Sequence, residues 1–350
     1  MILAPTTANW LILFAACAKI GVMTASVHPG YSKQELFSAL NKVRPTALFA
    51  PEAFKALKFY ENLCKWIPEL AESSEGQLNS AALPYLNTVI MDSERSLPGT
   101  VNVRDILAGG SANLEEQERL TSCDDALTVI FTSGTTGSAK AACLSHHGFV
   151  NNVRVAQSVL VGNDGPLPVI LNPLPLFHVF GLMNASLPFF THGMTVFPSV
   201  GYDTVSTLKA IQKYRCTDMS GSPTMYVDLI QHQDRAKYDL SSLRRCIMGG
   251  NICTTEVRQL VETNLKPALA LTGYGATETS TAATGVRMDD PVEKRLNTVG
   301  RPLPHTEIKI VNPDTGVELP CGEVGEVWIR GFQIFCGYLG EEAKTKEVRY

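Results

Sequence analysis

Short runs of β-branched and apolar residues alternate with amphipathic stretches over most of the chain. That alternation predicts parallel strands joined by crossover helices, an α/β class built on doubly wound parallel sheets. Candidate strands are Thr46–Ala50, Thr88–Met91, Leu127–Thr132, Val169–Asn172, Cys246–Gly249 and Ala268–Thr272. Candidate helices lie between them at Ser32–Val43, Ser145–Val161, Tyr202–Tyr214, Thr224–His232 and Thr254–Asn264. After about residue 295 the texture changes. Glu307–Val311 and Gly325–Arg330 alternate in side-chain character around the strong turn Asn312-Pro313-Asp314-Thr315-Gly316, which predicts antiparallel β structure. The expected organisation is a first α/β part over 1–150, a second over 151–295 and a partial antiparallel β region over 296–350. The polar stretch Glu69–Ser80 reads as a surface loop.

Composition supports a packed protein. Of 350 residues, 18% are charged, against roughly 25% in a usual soluble domain, which implies much buried surface. General disorder is excluded by the apolar content, and the length allows one large domain or two. A net charge of −4 leaves no electrostatic footprint for nucleic acid or an anionic membrane. Nine cysteines run from Cys17 to Cys336 without a C-x-x-C pair. They indicate neither a disulfide framework nor a structural zinc site, and the expectation is buried free thiols in a reducing compartment. The apolar run Trp10–Ala18 ends in small residues, as a signal peptide would. No basic residue precedes it, Lys19 follows at once, and nine residues cannot span a bilayer, so the expectation is an internal helix packed in a core and no transmembrane segment.

The most informative segment is Thr132-Ser133-Gly134-Thr135-Thr136-Gly137-Ser138-Ala139-Lys140, entered directly from an apolar strand. Such a loop can turn several backbone N–H groups toward one anion while hydroxyls and an ammonium complete the shell, as a polyphosphate cradle requires. A Ser/Thr-rich surface turn is the alternative; the strand before and the helix after favour phosphate. It is not a Walker loop, because two residues, not four, separate Gly134 from Gly137, and two more stand between Gly137 and Lys140. A second segment, Leu271–Thr279, opens with G-x-G, but Glu278 stands where a dinucleotide fold needs its third glycine. It offers Tyr274 to stack on a base, Thr277 to donate to a phosphate and Glu278 to hold a divalent cation, although taken alone the segment reads more readily as a glycine turn with an exposed glutamate.

These segments occur in one order with Pro175-Leu176-Phe177-His178-Val179-Phe180-Gly181, Gly249-Gly250, Val299-Gly300-Arg301-Pro302 and Gly325-Glu326-Val327-Trp328-Ile329-Arg330-Gly331. Together they resemble the adenylate-forming acyl-CoA synthetase superfamily, and Ser222-Pro223-Thr224-Met225-Tyr226 and Asn297–Val311 resemble its medium-chain branch most. The resemblance implies ATP, magnesium and coenzyme A as co-substrates and cofactor, and a fatty acid as substrate. It assigns the β- and γ-phosphates to Thr132–Lys140, adenine stacking to Tyr274, an α-phosphate contact to Thr277 and magnesium to Glu278. Gly249 and Gly250 would let backbone approach the adenine and the acyl group. His178 would stand beside the substrate carboxylate, although a lone histidine in an apolar run is more often a core residue. His146-His147 are read as helix-start residues, since adjacent side chains diverge on a helix.

The sequence also departs from the family pattern. Alanine replaces the usual proline at 139 and the usual glycine at 141, which leaves open whether position 141 tolerates a Cβ. The chain reads as an incomplete AMP-binding large domain, without the Thr-Gly-Asp motif and the small C-terminal domain with its lysine. The expectation is therefore an impaired fatty acid–CoA ligase of low solubility. A non-catalytic nucleotide- or acyl-binding pseudoenzyme or regulatory fragment is the alternative, and a different adenylate-former, such as an aryl-CoA ligase or luciferase-like oxygenase, a third. The mitochondrial matrix or the cytoplasm is the expected compartment.

Overall fold

The computed structural model describes residues 1–110, 114–132, 139–160, 167–188, 192–199, 201–266 and 268–349, without the Glu118 side chain. In chain order the strands are β1 (Thr24–Ser26), β2 (Ala47–Pro51), β3 (Thr88–Asp92), β4 (Val101–Asn102), β5 (Ala126–Thr132), β6 (Lys140–Ser145), β7 (Val169–Leu171) and β8 (Met194–Val196). They continue with β9 (Asp218–Gly221), β10 (Arg245–Met248), β11 (Leu269–Thr272), β12 (Thr284–Gly285), β13 (Arg301–Pro302), β14 (Thr306–Val311), β15 (Glu326–Gly331) and β16 (Gly337–Tyr338). They fall in two compact units. The first takes residues 1–146, 176–178 and 336–350; the second takes 147–175 and 179–335.

In the first unit, β2, β3 and β4 run parallel, and β1 runs parallel to β5. The chain start joins these two groups. Ile2 N–H donates to the Ala25 carbonyl at 2.7 Å, and Leu3 N–H donates to the Phe49 carbonyl at 2.9 Å, so residues 1–3 lie between β1 and β2, parallel to both. The far edge is antiparallel, β5 to β6 and β6 to β16. The core forms around the helix Lys33–Val43, whose buried Leu36 and Leu40 join Leu48, Leu63, Leu70 and Val89. That helix starts where Ser32 closes a capping box with Glu35, which satisfies donors that a helix start otherwise leaves open.

The second unit centres on a sheet in the order β11-β10-β9-β7-β8, parallel throughout. Leu208, Ile211, Met219, Tyr226, Met248 and Val261 fill its core. After it, β12 pairs antiparallel with β13, and β14 pairs antiparallel with β15, Ile308 opposite Ile329.

The expected strands and helices form within a residue or two of their predicted ends. Several features differ. A strand, β6, starts at Lys140, the last residue of the expected phosphate loop, and the helix His146–Leu160 begins only after it. The last strand, β16, joins β6 and not the β14–β15 hairpin. Glu69–Ser80 is not all loop: Pro68–Glu72 forms a 3-10 turn, and Leu70 and Leu78 anchor it in the core. The helix Ala8–Lys19 buries only Trp10 and Phe14, four residues apart, and leaves Ile12 at 54% exposure, so one narrow stripe of an apolar helix is packed. Of the nine free cysteines only Cys143, Cys216 and Cys246 are buried, so burial does not account for most of the thiols. Among the described residues no helix is long and apolar enough to cross a membrane.

An ion pair inside the parallel sheet holds β9 to β10. Asp218 is fully buried and faces Arg245 across the strands, the guanidinium donating to both carboxylate oxygens while the Thr217 hydroxyl donates to Oδ2 at 2.5 Å. Breaking such a pair leaves a buried charge without compensation, at a cost of about 3–5 kcal/mol, whereas removing both charges is often close to neutral. Arg245→Met alone is expected to lower stability by roughly that amount in urea unfolding, and Arg245→Met with Asp218→Leu by much less. Equal losses in the single and double variants would show that the pair does not act as a unit.

Candidate functional site

The expected site residues divide between the two units. Thr132, Lys140 and His178 belong to the first, and Gly249, Gly250, Tyr274, Thr277 and Glu278 to the second. Ser133, Gly134, Thr135, Thr136, Gly137 and Ser138 lie outside the described residues.

In the second unit, parallel pairing puts the ends of three strands level, with Gly221, Met248 and Thr272 in register across β9, β10 and β11. The loops that follow therefore leave the same edge, the carboxyl edge at which open α/β sheets bind ligands. Gly249 and Gly250 leave from β10. A Cβ on Gly249 would meet the Phe180 ring at 3.3 Å; Gly250 has φ +77, and nothing lies within 4 Å of where its Cβ would be. The loop after β11 lies flush against the returning chain. Tyr274 N–H donates to Thr284 Oγ1 at 3.0 Å, and the Tyr274 carbonyl accepts from Ala283 N–H at 2.8 Å and Thr284 N–H at 3.0 Å. With its backbone held on both sides, Tyr274 presents an exposed ring, at 42% exposure.

The chain then enters the 3-10 turn Thr277–Thr279, which carries Thr277 and Glu278. Thr279 Oγ1 accepts from Ala276 N–H at 2.9 Å and fixes the turn's entry. Thr277 is buried; Glu278 is half-buried, and its carbonyl accepts from Phe335 N–H at 2.9 Å. Beyond the turn, Ser280 and Thr281 take φ values of 52° and 130°, and their hydroxyl oxygens are buried without a hydrogen-bond partner. Non-glycine residues in such conformations cost of order 1–3 kcal/mol each, and such strain clusters at ligand sites. Nothing in the composition of Ser280 and Thr281 marked them; their conformation singles them out.

The donor set suits magnesium. Among the described residues there is no cluster of three or more His, Cys, Asp or Glu that could cage a metal. A single carboxylate such as Glu278 suits an ion that keeps water and phosphate oxygens as its other ligands. The exposed ring of Tyr274 and the open space at Gly250 suit a purine.

In the first unit, Thr132 ends β5 and pairs with Lys140 at the start of β6. The Lys140 ammonium stands 5.0 Å from the centre of the Tyr338 ring. The Ala139 carbonyl accepts from Lys42 Nζ at 2.6 Å, and the same ammonium pairs with Glu341 at 2.9 Å. Sequence reading missed this second lysine, since 97 residues separate it from Ala139. Ala141 is fully buried in regular β6, opposite Phe131. Leu176, Phe177 and His178 are tied to the first unit, Leu176 N–H donating to Thr6 Oγ1 at 3.3 Å and the Phe177 ring meeting His28 edge-on at 5.0 Å. The His178 side chain is exposed, not a packed core residue, and desolvation by the surrounding protein pushes its imidazole below the ordinary 6.5. His146 starts its helix, as expected, and its Nε2 is buried without a partner.

The AMP-binding enzyme family matches residues 1–339. The mitochondrial medium-chain acyl-CoA ligase ACSF2 of Danio rerio is 37% identical over 348 residues, covering 98% of this chain and 57% of that protein. Its Homo sapiens counterpart is 34% identical over 353 residues, with the same two coverages. The chain thus spans little more than half the length of these relatives. Among solved structures, ATP-bound MatB from Rhodopseudomonas palustris aligns with a TM-score of 0.76 at 23% identity, over 99% of this chain and 62% of that one. The anthranilate CoA ligase AuaEII in complex with anthranoyl-AMP gives 0.80 at 20% identity, over 99% and 62%. At these identities the likeness establishes the fold, that of the adenylate-forming large domain. Sequence match and architecture agree along nearly the whole length, and the chain belongs to the AMP-binding enzyme family.

Proposed function

We propose that the protein activates a medium-chain fatty acid with ATP, forming an acyl-adenylate and pyrophosphate, and then transfers the acyl group to the thiol of coenzyme A. The observation that carries this reading is the loop after β11, where an outward aromatic ring, a buried threonine and a half-buried glutamate follow one another along five residues. Adenylation brings a carboxylate to a triphosphate, so the protein must neutralise charge and hold the attacking oxygen in line with the α-phosphorus. In this reading Tyr274 stacks on adenine and Thr277 donates to the α-phosphate. Magnesium, held by Glu278 when bound, supplies positive charge to the phosphates. Lys140 serves the β- and γ-phosphates. Its contact with the buried Tyr338 ring, on the order of 1–2 kcal/mol, is small enough to give way to a phosphate. His178 stays neutral at pH 7 and hydrogen-bonds the substrate carboxylate without changing the charge balance. The names of the ACSF2 relatives support a mitochondrial setting.

Calorimetry of the chain with ATP and magnesium is expected to give binding that Tyr274→Ala weakens about tenfold, in line with the cost of losing one stacked base. No binding, or binding indifferent to that ring, would remove the nucleotide reading. Pyrophosphate release across a panel of fatty acids is expected to depend on the acid and to fall about 10²–10³-fold in Thr277→Val, the usual cost of one transition-state donor. Release that ignores the acid would point to simple ATP hydrolysis.

His178 provides a pH test. An imidazole whose folded pKa lies below 6.5 favours the folded state above the ordinary value, and that contribution fades as pH falls through 6.5 and below. An NMR titration, assigned with His178→Gln, is expected to give a midpoint under 6.5. A midpoint above it would mean that an acidic partner, not desolvation, governs the ring.

A further inference from the structure

We infer that Cys143 and Cys336 are a redox pair that closes into a reversible disulfide on exposure to a peroxide. Three observations place the two residues in reach of each other. β16 pairs with β6 with Gly337 opposite Cys143. Cys336 N–H donates to the Cys143 carbonyl at 2.8 Å, and one such bond keeps the two Cα atoms within the roughly 4.4–6.8 Å that disulfides span. In an unbroken ladder the two side chains would point to opposite faces. Gly337, at φ +137, breaks that alternation, and each thiol perturbs the ionisation of the other more than any other group does.

Their environments divide the labour. Cys336 is exposed, while Cys143 is buried against Ala25, Val129 and Ala141. The neighbouring Cys143 thiol first, then Arg349 and Ser145, hold the Cys336 thiol below its usual range. The same contact and burial push the Cys143 thiol up. An accessible thiolate beside a second thiol is the arrangement of a peroxide-sensing cysteine with its resolving partner. The Cys336 thiolate attacks the peroxide, an S–O bond forms as the O–O bond breaks, and the leaving oxygen takes a proton as water or alcohol. Cys143 then attacks the Cys336 sulfenic acid, the S–S bond forms, and hydroxide leaves with the Cys143 proton as water. Two thiols are oxidised by two electrons and one peroxide is reduced.

The bond would fix the edge from which β6 starts. Leu339 N–H donates there to the Ala141 carbonyl at 2.8 Å, Tyr338 covers Lys140, and Glu341 pairs with the Lys42 ammonium that holds Ala139. Peptide mapping of the unreduced chain after hydrogen peroxide is expected to find Cys143 linked to Cys336 as the main disulfide, lost on adding a thiol reductant. In Cys143→Ala, dimedone labelling of Cys336 is expected to rise severalfold over the parent, because the sulfenic acid has no thiol to resolve it. A main disulfide that involves any other cysteine would overturn the pairing. Absence of the linked peptide in the parent chain, with Cys336 oxidised or not, would do the same whether or not the variant folds.

Discussion

The backbone of Gly275 lies so close to the returning chain that a Cβ would stand 1.7 Å from the Thr281 carbonyl oxygen, and one on Gly273 would stand 2.4 Å from that of Thr284. No rotamer change relieves a collision between two main chains. These glycines therefore serve the contact between the loop after β11 and the chain that returns through β12, and a dinucleotide fingerprint is not what they spell. Everything chemical in that loop follows from the contact. Three hydrogen bonds to Thr284 and Ala283 hold the backbone of Tyr274, so only its ring is left to face outward. The turn that follows delivers Thr277 and Glu278 one after the other, and the chain leaves through the two strained residues Ser280 and Thr281.

A different means of control operates in the first unit. The described residues on either side of 133–138 are held by a hairpin, Thr132 paired to Lys140, and by contacts from far along the chain. Lys42 reaches the Ala139 carbonyl, Glu341 holds Lys42, and Tyr338 lies under Lys140. Glu341 also pairs with Lys344, so this group holds three ammonium groups against one carboxylate. The surplus positive charge suits a segment rich in hydroxyls and glycine whose expected ligand is a polyanion.

The alternating apolar pattern was sufficient for elements whose buried face is apolar. The helices at 33–43, 204–214 and 255–264, and strands β2, β3, β5, β10 and β11, are of this kind. It was blind to β9, whose residues Asp218-Met219-Ser220-Gly221 are all buried. There polar groups enter the core because each is satisfied, Asp218 by Arg245 and Ser220 by donating to Asn184 Oδ1 at 2.6 Å, and hydropathy cannot register a pairing between distant residues. It was blind for the same reason to Arg258, which lies in the core and donates to the carbonyls of Leu296 and Thr298. In the candidate site, Tyr274, Thr277 and Glu278 were legible because a short motif carries them together. Lys42 and the strain at Ser280 and Thr281 were not, since one depends on a contact across 97 residues and the other on dihedral angles.

The alanines at 139 and 141 show how a departure from the pattern that the resemblance implies can be absorbed. Where the resemblance implies glycine at 141, this chain has a fully buried alanine in a regular antiparallel strand, outside the residues of positive φ. Its Cβ joins the cluster of Ala25, Val129 and Cys143 and does not strain the backbone. In a strand interior alanine restricts the unfolded chain more than glycine does, by roughly 0.5–1 kcal/mol, so this change stiffens β6. At 139 the loss runs the other way, since alanine lacks the ring that fixes φ in proline, worth about 0.4–1 kcal/mol where the native φ suits it. The Lys42 ammonium on the Ala139 carbonyl acts on the same backbone, and a hydrogen bond to a charged group is worth about 1.5–3 kcal/mol, enough to offset that loss. Stiffness lost from the covalent chain at one position is thus replaced by packing at 141 and by a charge-assisted contact at 139.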